Sequence, residues 1–278
     1  MDDAQNISLA DSRWFQSFPF VVSPRTDEWF VGLLLRCDEA NLWESGGTLV
    51  HLLQAVQRTN QKKNANLVIP ALRVVDQFAE CLALPTELIL ATTFYTELVR
   101  CYGTVSPHQA QLNRVLPLRI CPVCLRDTRL LMRSLMLTHL HFCPSHQVAF
   151  VHFCQCGSRL KLFEASTSPF VCSECGTDWG SLPSPLARLD QMRQEQKVWS
   201  FYRFFLDQGT PQILARTVQY IRHKMKEEKI KQTKLLDGTT MRAEHYELRR
   251  HSLSYLVNVL VSLGIDLSEI AGGPSVFD

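Results

Sequence analysis

A mainly α-helical protein with a small β component is what the sequence predicts, with a helical part at each end and a cysteine-rich part between them. Three observations carry this. Apolar residues recur at intervals of three and four on both flanks, and seven of the ten cysteines fall in the 55 positions from Cys121 to Cys175, in pairs. Polar stretches punctuated by Pro and Ser, Gly103–Pro117 and Ser181–Pro185, separate the three parts. The resulting layout is an arm at 1–22, a helical domain at 23–116, a cysteine-rich domain at 117–181 and a C-terminal helical domain at 186–278. At 278 residues and 46% hydrophobic content the chain has ample material for buried cores.

Residues 1–22 lack periodicity. From Pro24 onward, Trp29, Leu33, Cys37 and Ala40, with Phe30 and Leu34 beside them, predict a first helix ending near Asn41. Gly46-Gly47-Thr48 then breaks the chain and caps a second helix over Leu49–Arg58. Further on, Leu72, Val75, Phe78, Ala79 and Leu82 form a stripe, Ala83-Leu84-Pro85-Thr86 interrupts it, and a helix resumes over Glu87–Tyr95. This pair resembles a helix-turn-helix, with small Ala79 at the crossing and Thr86 as the cap of the second helix. That helix carries Glu87 and no Lys or Arg, so packing or protein binding competes with DNA reading as its role.

The cysteine-rich domain carries the chemistry. Its pairs are Cys121-x2-Cys124, Cys143-x2-His146, Cys154-x-Cys156 and Cys172-x2-Cys175, eight ligands for two tetrahedral ions. Two cysteines one or two residues apart can turn both sulfurs toward one ion from a single tight turn, and a second pair completes the shell. Gly157 and Gly176 follow their pairs directly, where a residue free to take positive φ lets backbone N–H groups curl toward the thiolates. Cysteines this close in sequence rarely bridge one another, so the pattern predicts two structural Zn2+ ions in tandem ribbons and not a disulfide framework. Short hairpin strands are expected at Ala149–Phe153 and Arg159–Phe163. Sequence-order pairing is favoured over a cross-braced RING arrangement because seven residues separate His146 from Cys154. His139 and His141 are rival ligands, but only His146 keeps the two-residue gap. Cys37, Cys81 and Cys101 stand alone among apolar residues and read as small buried hydrophobes.

Both shells can be filled by protein, which makes the metals scaffolding and not catalysts. The deaminase order His-x-Glu before Pro-Cys-x-x-Cys is missing, as are the phosphate-loop, nucleophile-elbow and zinc-protease motifs, so no enzyme is expected. Beyond Pro185 the helices predicted are one long stripe from Leu186 and Leu189 through Met192, Val198, Phe201, Tyr202 and Phe205, then Gln212–Glu228 capped by Thr210-Pro211, then Ala243–Leu263. Net charge is only +2, so a basic surface has to be local. Residues 216–250 hold ten Lys or Arg against five Asp or Glu, either a solvated face or a phosphate-binding patch. The candidate nucleic-acid or partner contacts are Arg126, Arg129, Arg133, Arg159, Lys161, Lys224, Lys226, Lys229 and Lys231. No run of eighteen apolar residues occurs, and Met1-Asp2-Asp3 is not a secretory opening, so no membrane partner and a cytoplasmic location are expected.

Pro24-x3-Glu28 before Trp29-x6-Arg36, the helix-turn-helix-like pair, Arg119-Ile120-Cys121-Pro122-x-Cys124, Phe142-Cys143-Pro144-x-His146 and Cys154-x-Cys156-Gly157 occur in that order. Over about residues 20–180 the chain thereby resembles the TniQ/TnsD family of transposon target-selection proteins, whose members include CRISPR-associated ones. The resemblance implies an N-terminal helical domain with a helix-turn-helix, then tandem zinc ribbons holding the eight ligands above. It implies a non-catalytic adaptor between a target recogniser and an AAA+ ATPase transposition regulator, and a homodimer is one assembly it allows. The recogniser is either target DNA or a CRISPR effector complex with its guide RNA. The stretch after Pro185 carries no matching motif and is short, which favours a guided adaptor over the alternative, an autonomous sequence-specific DNA-binding protein that reads an attachment site.

Overall fold

A computed structural model describes residues 18–43, 47–48, 70, 72–104, 118–162, 169–227 and 252–271. The helix expected at Leu49–Arg58, the arm up to residue 17, most of the 103–117 linker, Lys229, Lys231 and positions 243–251 of the third C-terminal helix lie outside the described residues. The described part is mainly helical. Its elements are α1 (Phe30–Ala40), α2 (Leu72–Leu82), α3 (Thr86–Leu90), α4 (Tyr95–Tyr102), α5 (Pro122–Thr128), α6 (Leu189–Gln208), α7 (Pro211–Glu227), α8 (Leu253–Ser262) and α9 (Leu267–Ala271). Single 3-10 turns stand at Arg133–Met136 and Trp179–Ser181.

The first helix begins and ends where its periodicity places it. It is not amphipathic, however, since every residue from Phe30 to Asp38 is buried, as befits a helix surrounded by protein on all sides. Its C-terminal carbonyl at Cys37 is taken up by the Asn41 side chain at 2.8 Å, and the same amide donates to Phe20 O at 3.0 Å. The charged pair Glu28 and Arg36 closes its N-terminal end. Glu28 is fully buried and holds the guanidinium at 2.7 Å (Nε) and 3.1 Å (Nη2).

The α2 stripe forms as expected apart from Leu72, which is exposed. Ala83 takes a left-handed φ of 50° at the turn. The helix after the turn corrects the sequence reading, because it stops at Leu90 and a separate α4 starts at Tyr95. Thr92 and Thr93 cause the break: their hydroxyls bond back to Ile89 O (2.6 Å) and Leu90 O (2.8 Å), and Thr93 Oγ1 accepts from the Tyr95 N–H. Thr86 is not a cap; the capping position is Pro85, which has no side-chain bond.

The predicted hairpin strands are reduced to isolated antiparallel bridges. Ala149 pairs with Phe142, Val151 with Ile120 and Phe153 with Arg159, so the segment changes partner at each pair and builds no continuous ladder. At the C-terminus Val198, Phe201, Tyr202 and Phe205 form the buried face of α6, while Leu186 and Leu189, counted in the same stripe, are exposed. Among the described residues one buried apolar cluster runs through all three parts of the chain. Trp29 N–H donates to Leu131 O at 2.7 Å, tying α1 to the cysteine-rich part. Cys101 Sγ meets Phe205 O at 2.9 Å, tying α4 to α6. Cys37 and Cys101 are buried and Cys81 is half-buried, the setting expected of packing residues; burial pushes the Cys81 and Cys101 thiols up to about 11.

Candidate metal centres

The first pair of ligands sits on a helix start and not on a hairpin. Cys121 is the residue before α5, Pro122 occupies the first helical position where its missing N–H costs nothing, and one turn brings Cys124 beneath Cys121. The Cys124 N–H donates to Cys121 Sγ at 3.4 Å. The second pair comes from a closed loop in which Cys143 N–H donates to Val148 O and Gln147 N–H to Cys143 O, both at 2.8 Å. Gln147 makes the turn at φ 56°, a left-handed role the sequence reading assigned only to glycines.

The four donors converge. Cys124 Sγ is 3.6 Å from Cys143 Sγ, and His146 Nδ1 is 3.2, 3.5 and 3.6 Å from the sulfurs of Cys124, Cys121 and Cys143. Ideal zinc bond lengths give tetrahedral edges of about 3.8 Å between two sulfurs and about 3.6 Å between sulfur and nitrogen. The separations are therefore those of ligands around one ion. A disulfide would bring sulfurs to about 2.0 Å.

The second centre is built from two knuckles of one design. Cys154 N–H donates to Ser158 O (2.8 Å) and Gly157 N–H to Cys154 O (3.0 Å); Cys172 N–H donates to Thr177 O and Gly176 N–H to Cys172 O, both 2.9 Å. Gly157 and Gly176 have φ of 86° and 70°, the conformation their position predicts. Sulfur separations are 3.5 Å for Cys154–Cys175 and 3.7 Å for Cys156–Cys172. In each centre the four donor atoms lie within 4.8 Å of one another, and the sets follow sequence order without cross-bracing. The rivals stand elsewhere. The His141 N–H donates to the Glu195 carboxylate at 3.0 Å, and burial lowers the imidazole pKa of both His139 and His141.

The crowding also perturbs the thiols. Bonds from the Cys121 and Cys124 thiols, aided by N–H groups of His146 and Ser145, hold Cys143 far below the ordinary thiol range, while Cys124 is pushed up by the neighbouring sulfurs of Cys121 and Cys143. Crowded thiols can stabilise one anion among them at the others' expense; a dication at the centre lets all ionise. Cys172 is brought down to about 6, where burial, which raises it, is outweighed by the Ser158 hydroxyl and the N–H groups of Cys175 and Glu174. Behind His146, the Asp127 carboxylate lies 3.9 Å from Nε2, on the side away from the sulfurs.

Three residues unassigned in the sequence reading turn out to hold the centres in place. Arg119 is buried, donates to Leu135 O at 2.7 Å and to the carbonyls of Leu137 and Leu140, and lies over the Phe150 ring, so it gathers the loop that leads to Cys143. Burial pushes it down to about 10. Gly180 permits the 3-10 turn to lie on α5, since a Cβ there would stand 3.0 Å from Arg126 N. Asp178 caps that turn by accepting from Gly180 N–H at 2.7 Å. The Arg119 position adjoins a ligand pair, and that adjacency is the signal that could have found it.

The candidate contact residues divide. Arg129 is committed inside the protein, pairing with Glu39 (2.9 Å) and Asp178 (2.8 Å) over the Phe170 ring. Arg133 likewise holds Glu97 and Thr93 O, at 2.7 and 2.6 Å, over the Phe94 ring. Arg126, Arg159, Lys161 and Lys226 are exposed, and Lys224 is half-buried. No family model matches the chain, and no curated protein matches it either.

Proposed function

We propose that the chain is a non-catalytic adaptor of DNA transposition, whose two zinc centres are scaffolding and whose work is done by the surfaces they present. The carrying observation is that each centre has four protein donors at tetrahedral spacing, a filled shell with no position reserved for water. Cys121, Cys124, Cys143 and His146 would hold one ion and Cys154, Cys156, Cys172 and Cys175 the other. The ions would supply folding energy, roughly 10 to 16 kcal/mol per structural site.

Transposition is read from the resemblance to target-selection proteins. Its motif residues have structural duties: Glu28 pairs with Arg36 of α1, and Arg119 gathers the loop before Cys143. In the proposed role the protein bridges a CRISPR effector complex with its guide RNA, or target DNA, to an AAA+ ATPase regulator, using Arg126, Arg159 and Lys161 around the metal centres. Tagged protein co-expressed with its genomic neighbours tests this: recovery of an AAA+ ATPase supports it, and its absence from the pull-down refutes it.

A second reading is an autonomous DNA binder, favoured by the exposed Arg216, Gln219 and Lys226 on the outer side of α7. It requires tight binding to naked duplex with a steep loss on raising salt. Flat, weak binding across 50 to 200 mM salt would remove it.

A further inference from the structure

The two centres protect their sulfurs by different means. Cys121, Cys124 and Cys143 are buried to 1–4% exposure, whereas Cys156 and Cys175 of the second centre are exposed. Each exposed sulfur has a hydroxyl against it. Ser158 Oγ lies 3.1 Å from Cys156 Sγ, and Thr177 Oγ1 lies 3.1 Å from Cys175 Sγ. Ser158 Oγ is also 3.1 Å from the buried Cys172 Sγ. The repeat is visible in sequence as Cys-Gly-Ser at 156–158 and Cys-Gly-Thr at 175–177. Left-handed Gly157 and Gly176 turn the backbone so that the next side chain returns over the preceding sulfur. The matching position in the first centre's loop, two after His146, is Val148, which has no hydroxyl.

We propose that Ser158 and Thr177 are outer-shell binding residues of the second centre, retaining the metal where burial does not. A metal-bound thiolate has no proton, so in the loaded centre each hydroxyl has to be the donor. Ser158 has one proton, shared between Cys156 and Cys172. Donation to a thiolate spreads its negative charge, fixes the direction of its lone pairs, and makes it a poorer target for acid and for electrophiles. Both exposed ligands receive this protection, so the second centre is held by its hydroxyls and the first by its burial.

This inference rests on the zinc reading, and one experiment separates the two. Full-length zinc-loaded protein is titrated with a chromogenic chelator, as wild type, as S158A/T177V and as the hydroxyl-keeping S158T/T177S. The wild type is expected to yield two equivalents. The S158A/T177V protein should bind its second equivalent about 10- to 100-fold more weakly with the first unchanged, and iodoacetamide should modify Cys156 and Cys175 faster. The cobalt-loaded form should also show a displaced thiolate-to-metal charge-transfer band. S158T/T177S should behave as wild type. Equal second-centre affinity in wild type and S158A/T177V, or an equal loss in S158T/T177S, overturns the inference. Fewer than two equivalents in the wild type overturns the zinc reading itself.

Discussion

Replacing Cys172 and Cys175 together by serine leaves the first ligand set untouched, because its donors, 3.2 to 3.6 Å apart, include no atom from beyond His146. One equivalent of zinc should remain, bound by three sulfurs and one nitrogen. The lost centre removes roughly 10 to 16 kcal/mol of metal-linked folding energy, as much as holds a typical domain together. The damage should nevertheless stay local. Between Cys154 and Asp178 the described residues contain no helix, only bridges and turns, so ellipticity at 222 nm should survive nearly intact. The buried Phe170 and Trp179, in edge contact at 6.5 Å, mark where the loosening should stop, because Trp179 is also held by the turn against α5. Metal analysis with X-ray absorption at the zinc edge reads the outcome. A residual ion bound by four sulfurs would mean that Cys121 and Cys124 share it with Cys154 and Cys156, and loss of all metal would mean that the centres are interdependent. The first result refutes sequence-order pairing and the second the independence of the two centres.

Arg36→Met should cost about 3–5 kcal/mol in urea unfolding at pH 7, since it strands a fully buried carboxylate. Burial raises the Glu28 pKa and Arg36 counters the rise. Without Arg36 the folded-state pKa climbs further above its unfolded value, so the penalty should shrink as pH falls through that higher pKa toward 4.5; a penalty constant between pH 7 and 5 would contradict the reasoning. Gly209→Ala should lower stability by about 1–3 kcal/mol, since its Cβ would collide with Phe205 O and stand 2.5 Å from Cys101 Sγ; an unchanged thermal midpoint would contradict that packing. Arg129→Ala should destabilise the fold by about 1 kcal/mol, because its ion pairs with Glu39 and Asp178 are partly screened by solvent, whereas Arg126→Ala and Arg159→Ala should leave the melting temperature alone and weaken partner recovery.

The metal chemistry was legible because ligand spacing is a local property. Cys-x2-Cys, Cys-x2-His, Cys-x-Cys and Cys-x2-Cys each need only one turn of chain, and both sets came together in the order they are written. The helices over Phe30–Ala40, Leu72–Leu82, Leu189–Gln208 and Pro211–Glu227 were likewise readable from periodicity, although the third begins three residues after the Leu186 expected to open it. What escaped depends on long-range choices. The break at Thr92-Thr93 arises because hydroxyls compete for carbonyls that a helix would otherwise use, and propensity does not settle that contest. Arg129 and Arg133 look like surface charge in sequence, yet their partners Glu39, Asp178, Asp27 and Glu97 lie 36 to 106 positions away. The strands expected at 149–153 and 159–163 dissolved into bridges for a similar reason, since neighbours from three different segments each claim one residue.

Zinc content and coordination in protein purified without chelator bear most directly on the account. It predicts two zinc ions per chain, one bound by three sulfurs and a nitrogen and the other by four sulfurs, with no oxygen scatterer. Fewer than two ions per chain, or a water ligand on either, would contradict the idea that the metals are closed scaffolding.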